Sequence, residues 1–312
     1  VSNSAQDGGG VFVNQSSATL QVVSGRIDGN WADENGGGVW VEDGNVMLVR
    51  TRLFSNATGY LGGGLCVEEG TAALTETWVI SNSAGKDGGG VFVGNGSAQL
   101  TSTQVMSNSA DLFGGGVMVA NPGATLSLSG ATIDGNAAKY GGGVAVGSGG
   151  ATLTGTRVTG NSAQDGGGLY VLTGTVTLIG TEVVSNSAGE HGGGVYVWLS
   201  GGRLEASGGT IDRNSAERHG GGVYLASGSA ALMGTDVVSN SAVYRGGGLY
   251  VSSTVAALHT SGVRVCGNSA QYGGGLYHAS GSSTLTGTDV VSNSAGWDGG
   301  GAYVVGGSVT LT

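Results

Sequence analysis

The 312-residue chain has only one proline, two cysteines and two lysines, and few charged residues of any kind. Glycine is abundant, at 68 residues, but collagen needs glycine at every third position together with frequent proline, so a collagen triple helix is excluded. Charged residues make up 10% of the chain, whereas soluble domains usually carry about 25%. The surface must therefore consist largely of serine, threonine, asparagine and glycine.

The scarcity of positive charge limits the partners that the chain can attract. Lys86 and Lys139 are the two lysines, and the formal net charge is −10. Because a polyanion would be repelled, we expect no nucleic-acid partner. No apolar run approaches the roughly 18–20 residues of a membrane span, so we expect no direct membrane insertion of this segment.

A repeat dominates the sequence. A glycine triplet recurs twelve times at steps of 25 to 28 residues, and an asparagine precedes each triplet by five or six positions. The triplets begin at Gly8, Gly36, Gly62, Gly88, Gly114, Gly141, Gly166, Gly192, Gly220, Gly246, Gly273 and Gly299. A fixed period of this length is typical of repeat arrays in which stacked units bury one another's apolar faces.

Apolar residues at fixed positions after each triplet predict three short strands per repeat. In the fourth repeat Val91 and Val93 flank Phe92, and Leu100 follows seven residues after Val93. A third strand is predicted around the aliphatic residue three positions before the asparagine, such as Val105. Because the period leaves no room for helices, we predict an all-β, right-handed parallel β-helix of about twelve coils with three sheets.

The spacing of these strands makes further predictions. The leucine lies five residues before the third-strand aliphatic residue in most repeats, but seven before Ile27, Ile211 and Val265. An insertion of two residues keeps the inside–outside alternation, so we expect a β-bulge at these three points. Alanine stands two positions after the asparagine in eleven of the twelve repeats, which predicts a tight buried corner.

The array predicts one β-solenoid domain over residues 1–312. Twelve coils at ~4.8 Å give a length of roughly 60 Å. Cys66 and Cys266 lie eight coils apart, roughly 40 Å, so no disulfide bond can join them. Both termini lie inside a repeat without a capping segment, and we expect a fragment or protomer of a longer assembly.

The glycine and asparagine columns are interpreted as structural. Glycine suits a bend that needs positive φ or close backbone approach, and neither phosphate-binding nor calcium-binding glycine spacings occur. Stacked asparagine amides can bond from coil to coil, and asparagine tolerates the left-handed conformation. The predicted ladder comprises Asn30, Asn56, Asn82, Asn108, Asn136, Asn161, Asn186, Asn214, Asn240, Asn268 and Asn293.

These motifs carry a family resemblance over the whole chain. The combination of Gly-Gly-x-aliphatic with hydrophobic-x-x-Asn resembles the paired repeat motif of chlamydial polymorphic membrane proteins. The chain is also similar to the GGG-aliphatic-Tyr repeats of large secreted β-helix proteins from free-living bacteria, which are the closer match. Here glycine replaces the alanine of the chlamydial motif, and Ile, Leu or Val replaces its Phe. The resemblance implies a secreted or cell-surface adhesin passenger.

The residue between the two buried valines is expected to point outward, and it is aromatic in nine repeats. These residues are Phe12, Trp40, Phe92, Tyr170, Tyr196, Tyr224, Tyr250, Tyr277 and Tyr303. Stacked aromatic rings can simply stabilise a sheet. A long exposed aromatic stripe can also be a contact surface for a protein or fibre, or a glycan-binding site. The sequence leaves the three interpretations open.

The residue before each glycine triplet varies widely, which indicates a solvent-facing bend. His191 and His219 fall on adjacent coils and could bind a metal ion, but neighbouring arginines oppose a cation, so an exposed mixed-charge patch is favoured. Four carboxylates also occupy equivalent positions on adjacent coils, where solvated turns compete with a Ca²⁺ site. They are Glu42, Asp43, Glu68 and Glu69. Apart from Ca²⁺ at this point, we expect no cofactor.

The functional prediction is a non-enzymatic, extracellular structural or adhesive protein of bacterial origin. It would be a cell-surface rod, or a filament protomer that self-associates end to end or laterally. The alternative is a glycan-binding adhesin passenger of an autotransporter-like protein, whose partner would be a host or neighbouring-cell surface. A polysaccharide lyase or hydrolase needs converging carboxylates, and the acids here are scattered. We therefore predict no catalytic residues.

Overall fold

A computed structural model describes residues 2–312; Val1, the first residue of the predicted domain, lies outside the described residues. All regular structure in residues 2–312 is β-strand, and no helix there has the length and hydrophobicity of a membrane span. The chain divides into two compact units, unit 1 at Val1–Arg157 and unit 2 at Val158–Thr312. Each unit contains six glycine triplets and forms six coils of a parallel β-helix, as predicted.

Unit 1 begins with two long strands, Val11–Val23 and Val39–Val49, that each join the predicted valine and leucine segments. The other valine strands are Leu65–Val67, Val91–Val93, Val117–Val119 and Val144–Val146. The other leucine strands are Thr71–Thr75, Ser97–Thr101, Thr125–Ser129 and Gly150–Thr154. The third strands are Arg26–Asp28, Arg52–Phe54, Trp78–Ile80, Gln104–Met106 and Thr132–Asp134, and Arg157–Thr159 falls at the unit boundary.

Unit 2 repeats the same order of strands. Its valine strands are Leu169–Val171, Val195–Val197, Val223–Leu225, Leu249–Val251, Leu276–His278 and Ala302–Val304. Its leucine strands are Thr175–Ile179, Arg203–Ser207, Ser229–Met233, Ala257–Ser261, Ser282–Thr286 and Ser308–Leu311. Its third strands are Glu182–Val184, Thr210–Asp212, Asp236–Val238, Arg264–Cys266 and Asp289–Val291.

A further short strand follows the asparagine in every coil, where the sequence predicted a buried corner. In unit 1 these strands are Ser4–Ala5, Trp31–Ala32, Ala57–Thr58, Ser83–Ala84, Ser109–Ala110 and Ala137–Tyr140. In unit 2 they are Ser162–Asp165, Ser187–His191, Ser215–Ala216, Ser241–Ala242, Ser269–Tyr272 and Ser294–Asp298. Within each unit the valine and leucine strands share one sheet, the third strands form a second sheet, and these short strands build the third. Their alanines still face inward, and Ala84 is buried.

All strand pairs are parallel, and each position pairs with its own equivalent one coil away. Val91 lies between Leu65 and Val117, and Val105 lies between Val79 and Ile133. The inward side chains of the valine, leucine and third strands have almost no solvent exposure in the middle coils. The core is therefore a set of aliphatic columns, built by stacking one coil on the next.

The β-bulges predicted before Ile27, Ile211 and Val265 are wrong. In the coil of Ile211 it is Ala206, not Leu204, that pairs with Leu178, and Leu204 pairs with Val176. The two other coils show the same exchange, since Leu20 pairs with Val46 and Leu258 with Ala230. The leucine has moved two residues along one strand, and both positions face the core because the side-chain period is two.

The extra residues lie instead in the turn that precedes the leucine strand. In unit 2 the amide of Gly202 donates to Leu199 O at 2.9 Å, and that of Ala256 donates to Ser253 O at 3.0 Å. Around Pro122 in unit 1, the amide of Ala124 donates to Asn121 O at 3.0 Å. These i-to-i+3 bonds close β-turns, in which one or two added residues do not disturb the stacked strands.

The asparagine column forms a continuous hydrogen-bonded ladder within each unit. Asn108 is typical: its Nδ2 donates to Asn136 Oδ1 at 3.0 Å and to Val79 O at 2.9 Å. Its Oδ1 accepts from the backbone amide and from Nδ2 of Asn82, at 2.9 and 3.0 Å. Every polar atom of this buried side chain is satisfied by protein, so the amide avoids the cost of burial without a partner.

A second polar ladder, which the sequence pattern did not reveal, lies between the leucine and third strands of unit 1. The hydroxyl groups of Thr51, Thr77 and Thr103 are buried. They donate to backbone carbonyls of the preceding coil, at 3.0 to 3.2 Å. These threonines satisfy buried backbone carbonyls at this corner, as the asparagines do at the next bend.

The three glycines of a triplet are required for different reasons. Gly88 has a φ of 67°, and a Cβ there would lie 2.7 Å from Cβ of Phe92. A Cβ on Gly89 would lie 2.5 Å from Gly115 O, and one on Gly90 would lie 2.6 Å from Gly116 O. The first glycine permits the bend, and the other two allow the next coil to approach.

The left-handed conformation lies one residue earlier than expected. Among residues 2–312 no asparagine has positive φ, whereas Ser81, directly before Asn82, has a φ of 55°. Gly135 occupies the same position before Asn136, with a φ of 62°. The asparagine is therefore selected for its amide and not for its backbone freedom, which corrects the sequence-based interpretation.

Replacement of Asn108 by leucine should destabilise unit 1 by about 3 kcal/mol or more. The substitution removes the acceptor of two buried Asn82 donors, and each unsatisfied donor costs about 1–3 kcal/mol. Denaturant unfolding followed by circular dichroism would measure the change. The matched control is Ser109→Ala at the exposed next position, which should change stability by less than about 0.5 kcal/mol. Equal effects of the two substitutions would contradict the ladder's role.

Candidate functional site

The predicted aromatic column is buried in the middle coils, so the expectation that it forms an exposed stripe is wrong there. Its members in the middle coils are between 2% and 9% exposed: Phe92, Tyr170, Tyr196, Tyr224, Tyr250 and Tyr277. Trp40 and Tyr303 are half-buried, and Phe12 is exposed. Alternation predicted correctly that these side chains point away from the valine core. It could not predict what covers them.

Within each unit the aromatic rings pack against one another. In unit 1 Phe12 stacks on Trp40 with 4.4 Å between ring centroids, but Cys66, Met118 and Ala145 then occupy the column. The tyrosines of unit 2 form an unbroken series, with centroid distances of 4.8 to 5.4 Å from Tyr196 to Tyr303. This is a packing layer, the first of the three interpretations.

The residues before the glycine triplets cover this layer. The His191 ring lies 4.9 Å from that of Tyr224, and the His219 ring lies 5.2 Å from that of Tyr250. The Arg245 guanidinium lies 5.4 Å from the centre of the Tyr277 ring. Because the chain bends back at the first glycine, each of these side chains reaches the aromatic residue of the following coil.

The position before the triplet is thus a ladder, not the irregular solvent-facing bend that its variability suggested. His191 pairs with His219, His219 with Arg245, and Arg245 with Tyr272 through parallel backbone bridges. All four side chains are partly buried. Large side chains, such as that of Phe113, are frequent at this position, and they were the signal in the sequence that this position covers the aromatic column.

Burial in this layer changes the acid–base properties of its members. Desolvation raises the pKa of Tyr196, Tyr224 and Tyr277, so these hydroxyl groups stay protonated at physiological pH. Desolvation, assisted by the positive charge of Arg245, lowers the pKa of His219 to about 4. His191 is also shifted downward, mainly by burial. Both imidazoles are therefore largely uncharged near pH 7.

The two histidines lie together, as the sequence predicted, but as a stacked pair. Their ring centroids are 5.1 Å apart with an interplanar angle of 11°. Within residues 2–312, the buried Nδ1 atoms of both rings have no hydrogen-bond partner. Arg218 lies 3.5 Å from a carboxylate oxygen of Glu190, which in turn lies 3.8 Å from Nε2 of His191. The mixed charges expected here are present, but the two histidines are partly buried and not exposed as predicted.

One group of three metal-ligand side chains exists among the described residues. Ligand atoms of Asp165, Glu190 and His191 lie within 4.8 Å of one another. Arg218 shares Glu190 and places a positive charge beside any bound cation. Within residues 2–312 the structure does not bring Glu42, Asp43, Glu68 and Glu69 together as such a group.

Two of those four carboxylates have local partners instead. Asp43 accepts from the amide of Gly44 at 2.7 Å, and Glu69 accepts from Nδ2 of Asn95 at 3.0 Å. Burial, followed by the nearby charge of Glu69, raises the pKa of Glu68. These local contacts do not bring the carboxylate oxygens of the four residues together into the kind of set that Ca²⁺ needs.

The core itself contains one histidine. His278 takes the place of an inward valine and is fully buried, with Nδ1 2.9 Å from Gly306 O. Both cysteines are free, as the sequence predicted. Cys66 belongs to the covered column, and burial raises its pKa well above the ordinary value. Its thiol is consequently a packing group and not a reactive one.

An open cleft lies on the covering ladder of unit 2. It has a volume of about 370 Å³ and is lined by Arg218, His219, Tyr244, Arg245 and Tyr272. Tyr244 is exposed and meets the His219 ring edge-on at 6.1 Å between centroids. His219 and Arg245, which cover the aromatic column, therefore also line a cleft that contains two arginines.

Truncation of Tyr196 to alanine should lower the free energy of unfolding by about 3–5 kcal/mol, the usual cost of deleting a buried aromatic ring. Tyr196 is 7% exposed and contacts the rings of Tyr170, Tyr224 and His191. Tyr60→Ala, at an exposed tyrosine, is the control and should cost much less. A loss of stability no larger than that of the control, measured by denaturant unfolding, would restore the exposed-stripe interpretation.

The stability of unit 2 should fall as the pH is lowered from about 6.5 to about 4, in part because of His219. In this window the unfolded chain binds a proton at His219 that the folded chain does not, since the folded pKa is about 4. The contribution is complete above pH 6.5 and lost as the pH falls to 4. Melting temperatures of wild type and His219→Gln at pH 7 and 4.5 should show a smaller drop for the variant. His259→Gln, at an exposed histidine, should retain the wild-type drop.

Comparisons with known proteins agree with this architecture. A family model described as a right-handed beta helix region matches residues 142–312, more than half of the chain. Comparisons with curated proteins and with solved structures gave no match. The matched segment has the same triplets, asparagine ladder and parallel register that the remaining coils show. The chain therefore belongs to the right-handed β-helix family.

Proposed function

We propose that this chain is a non-enzymatic structural and adhesive module that acts at a bacterial cell surface, as a filament protomer or as part of a surface stalk. The single observation that carries the proposal is the asparagine ladder, which runs without interruption through the coils of each unit. Its links in unit 1 and in unit 2 are all 2.8 to 3.0 Å long.

Such a ladder supports a mechanical role because, within each unit, it joins each coil to the next. Separation of two coils would expose aliphatic columns and would also leave buried amides such as that of Asn214 without partners. Stability in a stacked repeat resides in these nearest-neighbour contacts. A stiff module built in this way suits a protein that transmits force or holds a shape.

The outer surface supports an extracellular, adhesive role. The outward positions of the leucine strands are mostly serine and threonine, as in Thr125–Ser129 and Thr175–Ile179. With only 10% charged residues, this coat is neutral and rich in hydroxyl groups. The resemblance of the repeats to those of secreted bacterial β-helix proteins favours the same location for this chain.

Two measurements on the purified chain test the proposal. Negative-stain images and sedimentation velocity over a range of concentrations should show filaments or higher oligomers, or beads coated with the chain should adhere to cell surfaces. Monomeric particles together with coated beads that adhere no better than uncoated ones would overturn the structural and adhesive role. Release of reducing ends from polysaccharides incubated with the chain would overturn its non-enzymatic character.

A further inference from the structure

The cleft of unit 2 contains two guanidinium groups and no carboxylate among its lining residues. Arg218 and Arg245 come from adjacent coils and face the same 370 Å³ space, together with His219, Tyr244 and Tyr272. Their concentration in one cleft is unusual for a chain with a net charge of −10. Two like charges that share one cleft repel each other unless an anion lies between them.

The two arginines are only partly neutralised by the protein. Arg218 is half-exposed, and one guanidinium nitrogen lies 3.5 Å from Glu190, an ion pair long enough to leave its other donors available. Arg245 makes no ion pair within residues 2–312, and its guanidinium lies above the Tyr277 ring. A cation–π contact of this kind uses none of the hydrogen-bond donors of the guanidinium group. Both arginines thus keep donors available for an oxyanion.

His219 adds no charge to this arrangement but affects its polarity. Burial, His191 and Arg245 keep the pKa of His219 near 4, so at neutral pH its ring is an uncharged part of the cleft lining. The ring is fixed by its stack on His191 and by its contact with Tyr250. The net charge of the cleft is therefore that of the arginines.

Aromatic side chains lie beside the charged centre. Tyr244 lines the cleft and is 47% exposed, and Tyr272 also lines it, with its ring edge-on to that of Trp297 at 5.1 Å between centroids. Trp297, on the coil after Tyr272, is 69% exposed. A hexose ring has an apolar face that packs against such side chains, while its carboxylate or sulfate would bond to the arginine forks. Aromatic side chains beside a cationic centre therefore match a sugar that has both an apolar ring face and an acidic group.

We propose that this cleft binds the carboxylate or sulfate group of an acidic carbohydrate, with Arg245 and Arg218 as the anion-binding residues and Tyr244, Tyr272 and Trp297 as the sugar-packing residues. The proposal deepens the adhesive role stated above and rests on it. It replaces the buried tyrosine column as the site of carbohydrate contact. A nucleic acid or any other long polyanion is disfavoured because the rest of the chain would repel it, so the ligand is an acidic group on a short or sparsely charged carbohydrate.

Calorimetric titration of the whole chain with short oligosaccharides of equal length tests the site. One oligosaccharide carries uronate carboxylates, one carries sulfates and one is neutral. At least one acidic oligosaccharide should bind saturably, and more weakly as salt is raised. The neutral one should bind at least about tenfold more weakly, because it lacks the charge-assisted bonds. The two acidic arms decide between carboxylate and sulfate as the recognised group.

Variants assign the binding to the cleft. Arg245→Gln and Arg218→Gln should each weaken acidic-oligosaccharide binding about tenfold or more, with unchanged melting temperature. Arg203→Gln is the matched control, since Arg203 is a half-exposed arginine of the same unit that pairs with Glu205 outside the cleft. It should bind as wild type does.

Three results of the oligosaccharide titrations would overturn the proposal. The first is that neither acidic oligosaccharide binds saturably, and the second is that the neutral oligosaccharide binds as tightly as the acidic ones. The third is that Arg245→Gln and wild type have equal affinity for the acidic oligosaccharide. A glutamate oligopeptide that binds as tightly as the acidic sugars would make the ligand an acidic peptide and the carbohydrate assignment wrong. Adhesion of coated beads that survives in Arg245→Gln would remove the cleft from the adhesive surface while leaving the proposed function standing.

Discussion

The structure depends on one constraint: within each unit, a strand residue has its own equivalent as a neighbour, about 4.8 Å away in the adjacent coil. A residue type can occupy a column only if it packs or bonds favourably with copies of itself. Aliphatic side chains meet this condition by simple contact, as Val91 does between Leu65 and Val117. Asparagine meets it because its amide carries both a donor and an acceptor, so Asn82 and Asn108 bond in the same sense as every other pair.

The same constraint explains why the glycine triplets are so regular. Gly89 and Gly90 leave no room for a Cβ because the carbonyls of the next triplet lie against them. Gly88 serves the bend and brings the preceding residue over the aromatic column. Close approach of the backbones therefore creates two layers outside the valine strands. The inner layer is the aromatic column, and the outer layer is the ladder that contains His191, His219 and Arg245.

This layering changes where function can reside. A column that is regular in sequence is used for packing, because regularity reflects the need of each side chain to fit its copies. The outer ladder covers aromatic rings of similar size, and any sufficiently long side chain can do this. The residue type at each ladder position is therefore free to vary. Local chemistry can accumulate there, as the paired Arg218 and Arg245 with the exposed Tyr244 show.

Much of the fold could be predicted from the spacing of apolar residues. The alternation of buried and outward residues around positions such as Phe92 was enough to predict the three strands and their parallel register. The asparagine ladder also follows, because one amide type recurs at one inward position. The threonine ladder at Thr77 could not be predicted from the sequence pattern, because the hydroxyl group is buried only by the short corner of the folded coil. The shift of Leu204 along its strand could not be predicted, because the sequence pattern does not distinguish between two inward-facing positions of the same strand.

The sequence alone determined which residues share a column, because the period assigns each residue to its place in the coil. Only the tertiary structure decided what lies on top of each column. The bend at the first glycine turns the ladder back over the tyrosines, and a repeat pattern contains no information about contact between two columns on the same side of a strand. The burial of Tyr196 and Tyr224, and the cleft at Arg245, are consequences of that contact.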